Sequence, residues 1–128
     1  MILSKTPIRI SLFGGATNFP EYFNKNRASI IGGTINKFIY TSLIKQKLKI
    51  KNNKIKLFYR IKEEANDVTK IKHAVIKEAL IKYKVKENIE MHISSDLPSH
   101  TGLGSSSAFT VGLLNLLQRL KKNKKILY

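Results

Sequence analysis

Residues 98–108 read Pro-Ser-His-Thr-Gly-Leu-Gly-Ser-Ser-Ser-Ala and stand directly before a strongly apolar segment. The apolar segment predicts a helix, so the glycines and serines would lie at its N-terminus. There, backbone N–H groups lack intrahelical acceptors and the helix dipole is positive. Glycine allows an anion to approach the backbone closely, and serine hydroxyls donate hydrogen bonds or ligate Mg²⁺. The pattern therefore predicts a phosphate-binding loop.

The glycine spacing in this loop excludes two common nucleotide-binding motifs. A Walker A loop needs Lys after its last glycine, where this chain has Ser105, and G-x-G-x-x-G needs a third glycine that this register lacks. The structural alternative is a plain helix N-terminus, capped by Ser105 with Gly102 and Gly104 forming the turn. We favour phosphate binding, because Pro98, two glycines and three consecutive serines form a more specific pattern than a cap requires.

The loop resembles the phosphate loop of the GHMP kinases, the superfamily of galactokinase, homoserine kinase and mevalonate kinase. The family pattern is Pro-x-x-x-Gly-Leu-Gly-Ser-Ser-(Ala/Ser). The matching positions here are Pro98, Gly102, Leu103, Gly104, Ser105, Ser106 and Ser107. Residues 6–20, TPIRISLFGGATNFP, resemble the first motif of the family, a strand followed by a substrate loop. Together with residues 72–80 and 96–98, they are most similar to the D-glycero-D-manno-heptose 7-phosphate kinases.

The resemblance implies an ATP- and Mg²⁺-dependent phosphoryl transfer to a sugar hydroxyl, specifically the anomeric hydroxyl of a heptose 7-phosphate. It implies that the amides of residues 102–107 bind the ATP phosphates and that Ser106 ligates Mg²⁺. It places Arg9, as a catalytic and substrate-binding residue, near the reacting hydroxyl and the transferred phosphoryl group. The residues that would line the sugar site are Gly14, Gly15, Thr17 and Asn18.

The chain departs from the family in two respects. Asn18 stands where the family loop carries Asp, which replaces a charged acceptor by one amide oxygen and a donor. Family members also continue well beyond the position of Tyr128, with a catalytic Asp, an acidic Mg²⁺ ligand and a third Gly-rich motif. We therefore expect residues 1–128 to be the N-terminal, ATP-binding domain of such a kinase, without the C-terminal domain and inactive alone. The expected partners are a sugar phosphate and, as an open possibility, a complementing C-terminal half.

Length and composition are those of one globular domain. The chain has 128 residues, of which 42% are hydrophobic and 25% charged, and it has no cysteine. Disulfides and thiolate metal sites are thereby excluded. No signal peptide or apolar run of membrane-spanning length is visible in the sequence, so we expect a cytoplasmic protein and no membrane partner.

The net charge of +16 leaves a different function open. A basic nucleic-acid-binding module would bind RNA or DNA in a strongly salt-dependent manner. Lys supplies most of the positive charge, whereas Arg is the usual reader of bases and phosphates, so we favour solvated lysines and do not expect nucleic acid as a partner. A further alternative is a non-enzymatic fragment or half of a split kinase.

The elements that would position these residues follow from hydropathy and turn signals. The resemblance implies an α+β fold of the ribosomal protein S5 domain 2-like type, with two layers and a mostly antiparallel sheet, although the alternation of elements alone also allows an ordinary α/β sheet. In the first half of the chain, the predicted elements are a strand over 2–13 that ends at two glycines, a short helix or loop over 19–25, and one or two strands over 29–48 with a bend at Gly32 and Gly33. A hairpin is predicted over 48–57, with its turn at Asn52 and Asn53 and its second arm continued to 61. The remaining predicted elements are a helix over 66–85, a strand over 89–95 and a helix over 105–121.

Two further expectations concern side-chain environments. The last helix is apolar almost all round, which predicts that a covering layer is missing and that the isolated chain associates. The three histidines have no metal-ligand spacing: we expect His73 to pack on its helix, His92 to alternate with core residues on its strand and His100 to face solvent.

Overall fold

The computed structural model describes residues 1–46, 55–98 and 104–122, apart from the side chains of Ala16 and Asn18. The strands are β1 (Ile2–Phe13), β2 (Ile31–Lys45), β3 (Ile55–Phe58), β4 (Lys62–Ala65) and β5 (Ile89–Ser95). The α-helices are α1 (Pro20–Phe23), α2 (Ala74–Lys82) and α3 (Ser105–Lys122), and 3₁₀ turns cover Gly15–Asn18 and Val68–Lys70. The predicted bounds of β1 and β5 are confirmed, and α3 ends one residue later than predicted.

The five strands form one sheet in the order β1-β2-β5-β3-β4. Only the β3–β5 pair among these described strands is parallel, and the other three pairs are antiparallel. Helix α3 packs along β1 and β2 and also against α2. The prediction of a two-layer α+β fold with a mostly antiparallel sheet is thus confirmed.

The core lies between the sheet and the two longer helices. In β2, Ile39, Thr41 and Leu43 are buried and alternate with half-buried residues, as expected for a strand with one covered face. Leu113, Leu116 and Leu117 of α3 pack into this core. Other core side chains with at most 1% exposure are Ile8, Leu57, Ile76, Leu80, Ile89 and Met91.

A glycine sets the distance between α3 and β1. A Cβ atom built on buried Gly112 would lie 2.4 Å from Thr6 Oγ1 and 3.1 Å from Ser4 Oγ. A side chain at residue 112 would therefore require either Thr6 or the helix to shift. The absence of a side chain allows α3 to lie directly on β1.

The helix predicted over residues 66–85 is only partly correct, because two separate caps divide this segment. Asp67 accepts hydrogen bonds from Thr69 N at 2.7 Å and from Thr69 Oγ1, and these bonds lower the pKa of Asp67. They close the 3₁₀ turn, after which Ile71 is extended. The α-helix starts only after His73, whose Nδ1 accepts from Ile76 N at 3.4 Å. Side chains that bond to nearby amides compete with a continuous helix in this way.

His73 also packs as expected, since its ring meets Tyr59 at 5.2 Å and Phe109 at 5.6 Å between centroids. The buried carboxylate of Glu63 accepts hydrogen bonds from Tyr59 Oη at 3.0 Å and from Lys72 N. Burial and the bond to Glu63 raise the pKa of Tyr59. This contact ties β4 to the segment that enters α2.

The predicted hairpin lies largely outside the described residues, which exclude 47–54. Its second arm corresponds to β3, which ends at Phe58 rather than continuing to 61. Tyr59 N bonds Ile61 O at 3.1 Å in the turn that leads to β4. The partners of β3 in the described sheet are β4 and β5, not β2.

Helix α3 is better covered than its composition predicts. The sheet and α2 bury seven of its residues, which are Ala108, Phe109, Gly112, Leu113, Leu116, Leu117 and Leu120. Val111 remains 62% exposed and Leu114 is half-buried. The sheet and α2 therefore already cover most of the apolar side chains of α3, and the association of the isolated chain stays a prediction. No helix within the described ranges has the length and hydropathy to cross a membrane.

Candidate functional site

The first helical residues of α3 lie beside the middle of β1. Gly104 precedes the helix with φ +65°, and a Cβ atom at this position would be 3.7 Å from Arg9 Cγ and 3.9 Å from Arg9 Nε. Two residues that the sequence places in one site, far apart along the chain, are thus neighbours. The exposed Arg9 side chain runs along the N-terminus of the helix.

This contact follows from the way α3 lies on β1. Gly104 meets Arg9, and Gly112 meets Thr6 and Ser4, so the helix runs antiparallel to the strand. Eight helical residues rise about 12 Å, and three to five strand residues extend about 10–16 Å. The helix and the strand therefore span similar distances between their two contacts. The tight contact at Gly112 fixes the position of the helix N-terminus relative to Arg9.

The N-terminus of α3 presents donors toward solvent. Gly104 O accepts from the amides of Ser107 at 3.1 Å and Ala108 at 3.2 Å, so the intrahelical bonds begin at Gly104. The amides that precede Ser107 have no acceptor within the helix by geometry. Ser105 is half-buried, whereas Ser106 and Ser107 are exposed. Gly104 immediately precedes Ser105, the first residue of α3.

The start of the predicted phosphate loop is fastened to the sheet by Asp96. Its Oδ2 accepts from Phe38 N at 2.9 Å, and its own amide donates to Phe38 O at 3.0 Å. Pro98 follows and is exposed. The loop residues Gly102 and Leu103, with His100, lie outside the described residues. Sequence reasoning gave Asp96 no role, although an Asp directly after a strand is a usual partner for a backbone amide.

The loop after β1 is built around Gly14, which has φ +72°. A Cβ atom there would lie 1.9 Å from the carbonyl oxygen of Ser29, so only glycine fits. Thr17 donates to Gly14 O from both its amide, at 2.9 Å, and its hydroxyl, at 2.8 Å. The Thr17 hydroxyl is therefore engaged in closing the turn and presents only lone pairs to a ligand. Gly15 is exposed, and Asn18 ends the 3₁₀ turn.

The predicted site has three parts, which are the phosphate loop, Arg9 and the turn after β1. The structure brings Arg9 and the helix end of the phosphate loop close to each other. Arg9 adjoins the N-terminus of α3, and the Gly14 turn follows five residues after Arg9, at most about 17 Å along the strand. Within the described ranges, no group of three or more His, Cys, Asp or Glu side chains could hold a metal ion.

The chain is similar to known proteins in both sequence and fold. The family described as GHMP kinases N terminal domain matches residues 66–126, which include the predicted phosphate loop and all of α3. The D-glycero-alpha-D-manno-heptose 7-phosphate kinase of Campylobacter jejuni is 30% identical over 121 residues, which are 88% of this chain and 36% of that relative. The chain thus spans about a third of the length of this curated relative.

Solved structures show the same fold. A D-glycero-D-manno-heptose 1-phosphate kinase from Bacteriodes thetaiotaomicron matches with a TM-score of 0.73 and 18% identity, over 96% of this chain and 47% of that one. The mevalonate kinase of Methanococcus jannaschii matches with a TM-score of 0.68 and 20% identity, over 94% of this chain and 40% of that one. Residues 66–126 of the chain are therefore similar to the N-terminal domain of the GHMP kinases, and the chain has the fold of these solved structures.

Proposed function

We propose that this chain supplies the nucleotide-binding part of an ATP-dependent sugar kinase. The contact between Gly104 and Arg9 carries the proposal, because it places a guanidinium beside helix amides that have no intrahelical acceptor. Phosphoryl transfer depends mainly on positioning and on stabilising negative charge, and both groups suit that task. The match of residues 66–126 to the family supports the same interpretation.

The residues present fit ATP and Mg²⁺. The amides at residues 104–106 would donate to phosphate oxygens, and the exposed hydroxyl of Ser106 would serve as a metal ligand. Arg9 would orient and neutralise the transferred group through its fork of donors. A bound Mg²⁺ would add positive charge between phosphate oxygens. Pro98, Gly102, Leu103 and Ser105 would complete the phosphate loop.

The sugar site would be formed by the turn after β1, at Gly14, Gly15, Thr17 and Asn18. We infer a heptose 7-phosphate as the acceptor, with phosphorylation at its anomeric hydroxyl, from the Campylobacter jejuni relative and from residues 6–20. Asn18 would donate and accept hydrogen bonds with sugar hydroxyls, where a carboxylate would only accept. An Asn18→Asp variant of a completed enzyme should therefore change the KM for the sugar more than the KM for ATP.

Nucleotide binding by the 128-residue chain is the first test. We expect Mg²⁺ and a non-hydrolysable ATP analogue to bind in calorimetry, with affinity reduced about tenfold by Arg9→Ala or Ser106→Ala. Ser94→Ala, which removes an exposed hydroxyl on β5, should leave the affinity unchanged. Equal binding by all variants, or no binding by the parent chain, would refute the assignment of this site.

The absence of turnover by the chain alone is a separate expectation. Because the chain spans 36% of its curated relative, and the resemblance places the catalytic Asp in the remainder, we expect no phosphorylation of heptose 7-phosphate by the 128-residue chain. Steady turnover that disappears in Arg9→Ala would show that the chain is a complete enzyme.

A further inference from the structure

Strand β1 lies at the edge of the described sheet. Among the described strands it pairs only with β2, so alternate residues direct backbone N–H and C=O groups away from the sheet. An edge of this kind is a template for pairing with another extended chain, and sheets commonly protect it with proline or a bulge. Such features begin in β1 at Pro7, after which the register shifts before Arg9. Residues 2–6 contain no proline and are in regular register with β2.

A groove of about 300 Å³ runs along this unprotected part of the edge, between β1 and the C-terminal half of α3. We call it the edge groove; its lining residues are Ile2, Leu3, Ser4, Lys5, Asn115, Leu116 and Arg119. Successive strand residues point to opposite faces of a sheet. Because the strand contributes four consecutive residues, the groove follows the strand edge and not one face. Four extended residues span about 13 Å, which is enough for a short added strand.

The two sides of the edge groove differ in chemistry. On the helix side, Asn115 and Arg119 are exposed and lie four residues apart, on the same face of α3. On the other side, Leu3 is 58% exposed, and the Lys5 ammonium lies 4.0 Å from the centroid of the Phe38 ring. An extended peptide alternates its side chains between these two sides. Acidic side chains would therefore face Arg119, and apolar side chains would face Leu3.

The charge of the edge groove is positive. Its lining residues in the described part of the chain include no Asp or Glu. Neither Lys5 nor Arg119 forms an ion pair with another described residue. The chain as a whole carries a net charge of +16, so a second copy would be repelled, and two paired β1 edges would bring the cations of both grooves together. The groove therefore favours an acidic partner.

The edge groove is remote from the proposed nucleotide site. Helix α3 runs antiparallel to β1, so Gly104 lies beside Arg9, whereas Arg119 lies beside the start of the strand. The fifteen residues from Gly104 to Arg119 correspond to about 22 Å along the helix. A peptide in the groove would leave Arg9 and the N-terminus of α3 accessible.

We propose that the edge groove binds an extended, acidic segment of another protein, which adds to β1 as a further strand of the sheet. The backbone of this segment would form hydrogen bonds with residues 2–6. Its acidic side chains would pair with Arg119, and its alternate apolar side chains would pack on Leu3. In this mode of recognition the main-chain hydrogen bonds supply affinity and the alternate side chains supply specificity. The inference does not depend on the proposed function.

The test uses the 128-residue chain and a fluorescently labelled peptide of three Val-Glu repeats. Fluorescence anisotropy should show saturable binding at low ionic strength. Arg119→Glu should raise the dissociation constant at least about tenfold, because it replaces a charge-assisted hydrogen bond by repulsion. The matched control Arg27→Glu makes the same charge change at an exposed residue that does not line the groove, and it should raise the constant by at most about twofold.

Two control peptides separate strand addition from simple attraction between charges. A Val-Glu peptide with N-methylated backbone amides keeps its charges but cannot donate main-chain hydrogen bonds, so it should bind at least about tenfold more weakly. A Val-Lys peptide should not bind. In hydrogen exchange followed by NMR, alternate amides of residues 2–6 should exchange more slowly when the Val-Glu peptide is bound.

Three binding results would overturn the proposal: no binding of the Val-Glu peptide, equal binding of its N-methylated form, or equal weakening by Arg119→Glu and Arg27→Glu. A dimer of this chain that the Val-Glu peptide dissociates would assign the groove to a second copy and would also overturn it. The affinity for the ATP analogue should be the same with and without the peptide. A failed peptide test therefore removes this inference and leaves the proposed function intact.

Discussion

The two halves of β2 differ sharply in burial, although they belong to one continuous strand. In the half from Ile39 to Leu43, alternate side chains lie under α3 and are only 1–4% exposed. In the half from Ile31 to Thr34, every residue is exposed, and the strand is held to β1 by backbone pairing. The register of the β1–β2 pair also shifts twice, between Pro7 and Arg9 and between Ser11 and Phe13.

This difference locates the candidate site at a boundary. Arg9 pairs with Thr34, at the point where the helix-covered half of the sheet ends and the exposed half begins. Residues on the covered side are fixed by packing, whereas those on the exposed side depend on turns and glycines. Segments with few buried apolar contacts open at low free energy, so the turn at Gly14, the proposed sugar site, should be more mobile than the N-terminus of α3.

The largest expected contrast is between two apolar residues of β2. Leu43→Ala should lower the free energy of unfolding by about 2–5 kcal/mol, because it leaves a cavity under α3. Ile31→Ala, at a residue that is 62% exposed, should change it by less than about 0.5 kcal/mol. Urea unfolding followed by circular dichroism measures both, and similar losses would show that the exposed half is packed in solution.

A second contrast compares Gly14, in the turn after β1, with Gly33, in the exposed half of β2. Gly14→Ala should cost about 1–3 kcal/mol, because residue 14 has φ +72° and a Cβ atom would meet the Ser29 carbonyl. Gly33→Ala should be nearly neutral, since no atom lies within 4 Å of a Cβ atom there. If thermal unfolding shows the same stability for both variants, the turn is not held in the described conformation.

A third prediction concerns the contact that sets the helix against β1. Gly112→Ala should cost about 1–3 kcal/mol through overpacking against Thr6 Oγ1. Thr6→Ala removes that atom, so the double variant should recover at least half of the loss in a double-mutant cycle. Because Gly112 fixes the helix relative to Arg9, the affinity for the ATP analogue should fall in Gly112→Ala and be partly restored in the double variant. If the changes in unfolding free energy of Gly112→Ala and Thr6→Ala simply add in the double variant, the two residues are not in direct contact.

Hydropathy patterns along the sequence predicted those strands and helices whose buried and exposed residues recur at regular spacing. The alternation in β1 and β5 and the continuous apolar content of α3 define these elements without knowledge of their neighbours. The segment 66–85 was predicted less well, because Asp67 and His73 each bond to a nearby amide and interrupt a pattern that is otherwise helical. The insertion of β5 between β2 and β3 depends on contacts distant in sequence, which periodicity does not contain.

The candidate site was predictable in its residue types and not in its geometry. The Gly/Ser loop indicates phosphate binding by its own chemistry, but the neighbouring position of Arg9 came from a family resemblance. Nothing local shows that Gly14 faces Ser29 or that Gly112 faces Thr6, because both contacts depend on how β2 and α3 lie on β1. The covered state of α3 was missed for the same reason.

The smallest expected effect is a pH dependence on the face of the sheet opposite α3. His92 donates to Glu90 at 2.8 Å, and this hydrogen bond, with a second from Gln46, lowers the pKa of Glu90 although partial burial opposes it. Since the folded state has the lower pKa, the stabilisation is complete above the pKa of the unfolded chain and is lost as pH falls through the folded value.

Glu90→Gln should therefore cost at most about 1 kcal/mol near neutral pH. The difference in unfolding free energy between the parent chain and Glu90→Gln should shrink as the pH falls below about 4. Glu78→Gln, an exposed carboxyl on α2, is the charge-matched control in urea unfolding at several pH values. A loss in Glu90→Gln that grows on acidification would contradict the lowered pKa and with it the bond to His92.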